Sequence, residues 1–282
     1  MKKTIVAAAV AALVAAPAAF ADVSVSGNVF AEIGDNNGEQ DEVFTDVFFK
    51  ASEDLGNGMK ASTVIQLVGD NATGAAGGNR HVTLSGDFGS IQMGRMESYI
   101  EQSVNALMAT DPAHTISIEQ SVGEGTMDQG RRYTTPTMAG AKVVVESFAA
   151  GETGAAIVYS NGGLSAQYAV ESGATNTEEV ASYSVQYKMG DMMARVVNTE
   201  DDAGDEATFV GGTYTMGANT LGLGVITDAK GTASSSVTGA ANDGDYTVSL
   251  SHSMSKNTSV YFAHMNNDDG DDETVVGIRQ NF

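Results

Sequence analysis

The sequence predicts an all-β fold, a closed antiparallel transmembrane β-barrel of 16 strands with short turns at one rim and longer loops at the other. Three observations carry this reading. Beyond residue 21, apolar and polar residues alternate with period two in segment after segment, the spacing that puts one kind on each face of a strand. Tight glycine-bearing turns alternate along the chain with longer polar connections. Beyond the first twenty residues no apolar run approaches the ~20 residues a helix needs to cross a bilayer.

The chain opens with Lys2 and Lys3, an apolar stretch from Ile5 to Ala16, Pro17, and the small-residue pattern Ala19-Phe20-Ala21. A basic region, a hydrophobic region and an A-x-A site in that order predict a signal peptide over 1–21, leaving one barrel domain over 22–282. In 22–33, Val23, Val25, Val29, Ala31 and Ile33 share one face, and Ser24, Ser26, Asn28 and Glu32 share the other. The next pair, 43–54 and 58–69, flanks the turn at 55–58, and its first member sets Val47 and Phe49 opposite Lys50. Segments 80–87 and 89–96 meet at Asp87-Phe88-Gly89. In 128–136 Tyr133 opposes Arg132, and in 139–149 Val143 and Val145 oppose Lys142 and Glu146. Segments 154–161 and 163–171, 178–189 and 191–200, and 206–216 and 218–228 are three hairpins with turns at Gly162, Gly190 and Gly217. The series ends with 242–253, 255–266 and 273–282. The longer connections are 34–42, 70–79, 97–127, 172–177, 201–205, 229–241 and 267–272, with a short one near 150–153.

Closure follows from energetics. A backbone polar group left unpaired in hydrocarbon costs several kcal/mol, so strands in a membrane must close their sheet. A β-sandwich would also alternate, but the inward positions here are Ser, Thr, Asn, Gln, Glu, Lys and Arg, which a sandwich would bury without partners. Composition removes other classes. With 36 acidic against 14 basic residues the formal charge is −22, moving to −24 once Lys2 and Lys3 leave with the signal, which excludes a nucleic-acid partner. The absence of Cys excludes disulfides and Cys-based zinc sites. Four His at 81, 114, 252 and 264, without a G-x-S-x-G or metal-ligand motif, predict that the chain is not an enzyme.

Three stretches resemble the Gram-negative general porin family of trimeric, sixteen-stranded diffusion channels. They are GDFGSIQMGRM at 86–96, GRRYTTPTMAG at 130–140, and the terminal TVVGIRQNF. The second has a shorter arginine spacing than the family pattern and Thr135 where Ser is usual. With the VSVSG opening strand, the resemblance spans the mature chain. It implies that the longest connection, 97–127, folds into the lumen as a constriction loop, whose acids Glu97, Glu101, Asp111, Glu119 and Glu124 face basic groups on the opposing wall. Alternation turns Lys50 and Arg132 toward water, and the same rule makes Lys60, Lys142, Arg195 and Arg279 lumenal elsewhere. Asp46 stands where many members carry an arginine, His81 lies near the wall position on the fourth strand, and the family's Pro-Glu-Phe-Gly-Gly-Asp loop tip is missing, with Asp111-Pro112 its loose counterpart. The basic half of the filter is therefore weakened, with Arg132 its best remaining member. Arg95, on the outward parity of Ile91 and Met93, is similar to an arginine at the family's trimer interface, with Asp70 its available partner. Phe282, sharing a face with Val276, Ile278 and Gln280, resembles the aromatic carboxy-terminus read by the barrel-assembly machinery.

The expected function is passive, cation-preferring diffusion of small hydrophilic solutes and ions, by a homotrimer in contact with outer-membrane lipid and lipopolysaccharide. No cofactor is expected beyond loosely bound Ca²⁺ or Mg²⁺ at the acidic loops 198–206 and 266–273. Two alternatives remain at this level, a secreted or surface calcium-binding β-rich adhesin and a substrate-selective outer-membrane channel. The latter would need an aromatic slide, which 7% aromatics without Trp support poorly.

Overall fold

The computed structural model describes residues 22–35, 42–70, 74–102, 126–149, 151–172, 179–202, 204–230, 234–235, 239–240, 243–266 and 272–282. The signal segment 1–21 and the loop acids Asp111, Glu119 and Glu124 lie outside the described residues. The strands are β1 (Asp22–Asp35), β2 (Glu42–Gly56), β3 (Met59–Asp70), β4 (Gly74–Gly86), β5 (Gly89–Glu97), β6 (Thr126–Thr134), β7 (Ala141–Ser147), β8 (Thr153–Asn161), β9 (Leu164–Ser172), β10 (Glu179–Met189), β11 (Met192–Asp201), β12 (Glu206–Met216), β13 (Asn219–Lys230), β14 (Ser234–Ser235), β15 (Gly239–Ala240), β16 (Tyr246–Ser253), β17 (Thr258–Asn266) and β18 (Glu273–Asn281). Sixteen of them close into one antiparallel barrel in chain order, with β18 returning to β1; β14 and β15, two residues each, pair as a separate two-stranded sheet.

Turn chemistry sets the register. Between β2 and β3, Asn57 (φ 53°) and Gly58 (φ 75°) both take the left-handed region, the geometry that a two-residue hairpin turn demands. Alternation then fixes the faces. On β7 Val143 and Val145 are exposed on the outer wall while Val144 and Glu146 are buried on the inner side. The same split puts Val25, Phe49, Ile65 and Val82 outside and Lys50, His81 and Arg132 inside.

The structure departs from the sequence reading in three places. β4 begins at Gly74, six residues before the expected 80, because Gly-Ala-Ala-Gly-Gly offers no alternation yet pairs its backbone with β3 from Leu67↔Gly77 to Asp70↔Gly74. The hairpin β14–β15 lies inside the connection expected over 229–241. The inner wall is also not polar throughout. Val144, Ala156 and Ala169 across β7–β9, and Val197, Phe209 and Ile226 across β11–β13, form a buried apolar patch on inward positions. Ile100, from the chain leaving β5, packs on that patch at 1% exposure, so the wall carries apolar residues where it receives protein instead of water.

The closing seam is clasped on both sides. Inside, the Tyr261 hydroxyl of β17 donates to Glu32 of β1, reaching across the intervening strand at Gly277, where an added Cβ would meet the ring at 2.3 Å. Outside, Phe282 exchanges two backbone hydrogen bonds of 3.0 Å with Gly27, and its ring lies over that glycine. Among the described strands of the barrel no edge is left unpaired.

Candidate functional site

The lumenal side of β2–β7 carries one continuous chain of polar contacts. Gln66 Nε2 donates to Asp46 Oδ1 (3.1 Å), and the Asn79 amide donates to Gln66 Oε1 (3.0 Å). Gln66 falls where the β3–β4 register shifts between Ile65 and Leu67, a bulge that re-aims its side chain. Asn79 then clasps Glu97, accepting from its amide (3.0 Å) and donating to its carboxylate (3.2 Å). The Glu97 carbonyl accepts from Arg132 Nη2 at 2.6 Å, and Arg132 Nε donates to Glu146 Oε2 at 2.8 Å. Arg132 and Glu146 face each other directly across β6 and β7, and both are 6% exposed.

This belt moors the root of the connection after β5. Residues 99–102 form one helical turn, and the preceding Ser98-x-x-Glu101 is a capping box by sequence. Ser98 Oγ accepts from the Glu101 amide (3.1 Å), and its carbonyl accepts from the Gln102 amide (3.0 Å). The turn is tied to the wall three times: the Tyr99 amide donates to Glu146 Oε1 (2.8 Å), Arg132 Nη1 donates to Gln102 Oε1 (3.2 Å), and the guanidinium lies 5.5 Å from the Tyr99 ring centroid. Tyr99 lies outside the membrane-spanning strands. Burial, with the Glu146 carboxylate in the same direction and Arg132 opposing, pushes its phenol above the ordinary value.

The expected site residues thus separate into groups. Asp46, Glu97 and Arg132 belong to the belt, with Glu101 in the helical turn beside it. Arg132 is lumenal by parity but meets an acid, a carbonyl and an amide oxygen, so its charge is compensated at the wall and is not a bare cation projecting into the passage. Lys50 is exposed to the lumen, with Nζ 5.0 Å over the Phe48 ring. His81 shares its cross-strand row through Val64, and its buried Nδ1 has no hydrogen-bond partner. Arg195 is inward but 4% exposed, beside Met193 Sδ at 3.6 Å, and Arg279 lies 4.7 Å over Phe30. Lys60 and Lys142 sit at the short-turn ends of β3 and β7. Arg95 keeps the outward parity of Met93 and pairs in register with Arg80; the side chain of Asp70 lies outside the described residues.

Sequence reasoning missed Gln66, Asn79, Tyr99, Ile100 and Gln102. Parity alone could have found Gln66, and the Ser98-x-x-Glu101 box could have found the turn. Asn79 lay in the stretch of β4 that shows no alternation. Among the described residues no group of three or more His, Asp or Glu is placed to hold a metal ion. Chemically the arrangement is a water-facing wall that holds an inward-turned chain segment by compensated charges.

Known proteins agree with this architecture. The family model described as Gram-negative porin matches residues 7–272. Major outer membrane protein P.IB of Neisseria meningitidis serogroup B, strain H44/76, is 28% identical over 194 residues, and the same holds for strain MC58. The alignment takes in 60% of this chain and 58% of that protein, so the chain spans less than two thirds of the relative's length. Among solved structures, two engineered variants of Rhodopseudomonas blastica porin align over 93% of this chain and 100% of theirs, with TM-scores of 0.74 and 0.72 at 15% and 14% identity, a likeness of fold. The family match extends over far more than half of the sequence, and with it the chain belongs to the Gram-negative porin family, an outer-membrane β-barrel and not an enzyme.

Proposed function

We propose that this chain is a general diffusion porin, a passive channel for small hydrophilic solutes and ions that prefers cations and works as a homotrimer. The observation that carries the reading is the closed barrel with the root of its longest connection, residues 97–102, moored to the inner wall. Preference for cations rests on charge. The connection 97–127 carries five acids and no Lys or Arg, Arg132 is compensated by Glu146, and among the described residues Lys50 is an exposed lumenal cation beside the belt. A narrow passage with acidic walls concentrates cations and repels anions, an effect that salt screens over about 10 Å at 0.1 M.

Three further roles belong to this reading. They are contact of Arg95 with a neighbouring subunit, recognition of Phe282 by the assembly machinery, and loose Ca²⁺ or Mg²⁺ binding between acidic loops and lipopolysaccharide phosphates. The deciding experiment is reversal potential in a planar bilayer under a KCl gradient. A potential of cation sign that shrinks as salt rises is expected. Anion sign refutes the preference, and absence of any conductance refutes the channel.

A further inference from the structure

We infer that Phe48 and Lys50 form a recognition element for small aromatic carboxylates on the lumenal wall. This rests on the channel reading above and adds a solute class to it. On β2 the inward positions run Phe44, Asp46, Phe48 and Lys50, a strip of alternating ring and charge with roughly 7 Å between successive members. On neighbouring β1 the inward residues opposite Lys50, Phe48 and Asp46 are Ser24, Ser26 and Asn28, small and polar, so the Phe48 ring stands open on that side, while Phe30 faces Phe44. A half-buried phenylalanine facing water gains nothing from the solvent, and here two of the rings carry a cation. Phe48 carries the Lys50 ammonium 5.0 Å above its centroid, and Phe30, paired with Phe44 across β1 and β2, carries the Arg279 guanidinium at 4.7 Å.

The Phe48 quadrupole attracts the ammonium and restricts the lysine stem, so less side-chain freedom is lost when an anion pairs with Nζ. Lys50 is exposed, and Asp46, two positions along the strip, accepts a hydrogen bond from Gln66 and acts on the ammonium only through space, so Nζ is accessible to a solute carboxylate. A solute whose ring adjoins its carboxylate can pair with Nζ and stack offset against Phe48 at once. A simple carboxylate makes only the first contact, and a neutral arene only the second. Because the acidic lumen works against anions as a class, the anions that pass are those with a compensating contact of this kind.

The test compares benzoate with cyclohexanecarboxylate, which match in charge and nearly in size but differ in aromaticity. Each is added to single channels in KCl, and the reduction and noise of the current are recorded. For the unmodified protein benzoate should act at concentrations roughly 2- to 10-fold lower, the ratio that one aromatic stacking contact supplies. Phe48→Leu should abolish the difference while keeping KCl conductance, and Lys50→Gln should weaken both solutes. Equal effects of the two acids on the unmodified protein, or a difference that survives Phe48→Leu, overturns the inference. Conductance in KCl before either acid is added tests the channel itself, so the two failures are distinguishable. The comparison on the unmodified protein also holds without any variant.

Discussion

Arg132 sets the cost of loosening the helical turn at 99–102 from the wall. Its guanidinium is buried against Glu146, the Glu97 carbonyl and Gln102, and breaking a buried pair by removing one partner costs about 3–5 kcal/mol because the other charge stays uncompensated. Arg132→Met should therefore lower the temperature at which the barrel shifts its migration on a denaturing gel, and should raise single-channel conductance as the root at 99–102 detaches. Adding Glu146→Gln to Arg132→Met should recover part of the loss, since the surviving carboxylate is then neutral; additive losses would show that the two residues act separately. At this scale orientation was legible and partnership was not. Parity alone placed Arg132 and Lys50 on the lumenal side, because period two is a property of the strand itself. Whether a cation there is bare or compensated depends on Glu146 across β6–β7 and on a turn between strands, and no local pattern encodes those distances.

Elements depend on what lies across from them, and the seam between β18 and β1 is the sharpest case. Gly277 exists as a bare patch over which Tyr261 reaches Glu32. Gly277→Val would put a side chain where even a Cβ sits 2.3 Å from the ring, so the tyrosine must leave and its hydroxyl contact with Glu32 is lost. Overpacking of this kind costs about 1–3 kcal/mol. The variant should show a lowered migration-shift temperature in detergent, whereas Tyr261→Phe, which keeps the ring and removes only the hydrogen bond, should show a smaller drop. Equal stability of Gly277→Val and the unmodified protein would remove the clasp from the account. The sixteen barrel strands were readable from alternation, mostly to within a few residues at their ends, because each has an apolar outer face and most have a largely polar inner one. β4 was cut short because glycine and alanine take either face without contrast. The inward apolar patch around Phe209 and Val197 escaped notice for a related reason, since apolar residues on both faces mask the period that identifies a lumenal side.

At the scale of the whole molecule, the excess of acid is unevenly placed. Glu200, Asp201, Asp202, Asp205, Glu206, Asp228, Asp243 and Asp245 gather near the long-loop rim of β11–β16 with Lys230 among them, while Lys60, Lys142 and Lys188 sit at the short-turn ends of their strands. Composition shows that the chain is acidic, the alternation of short turns with long loops already assigns much of that acid to one rim, and closure of the strands makes that rim the mouth of a passage. The even strand count, read from the sequence, also places both ends of the barrel at one rim. Phe282 is bonded to Gly27, five residues along β1 from Asp22. That gap is roughly 17 Å of strand, short enough for a linker of a few residues. The barrel is thus a ring whose starting point is arbitrary. A circularly permuted chain, joined from 282 to 22 and opened at the short turn between β8 and β9, which keeps both new ends at the same rim, should refold in detergent with the same heat-dependent migration and the same KCl conductance. Because Phe282 then keeps its place over Gly27 but no longer ends the chain, expression in cells separates two roles that the natural order fuses. Failure to reach the membrane despite normal refolding would assign the terminal aromatic to delivery, and normal delivery would assign it to the clasp alone.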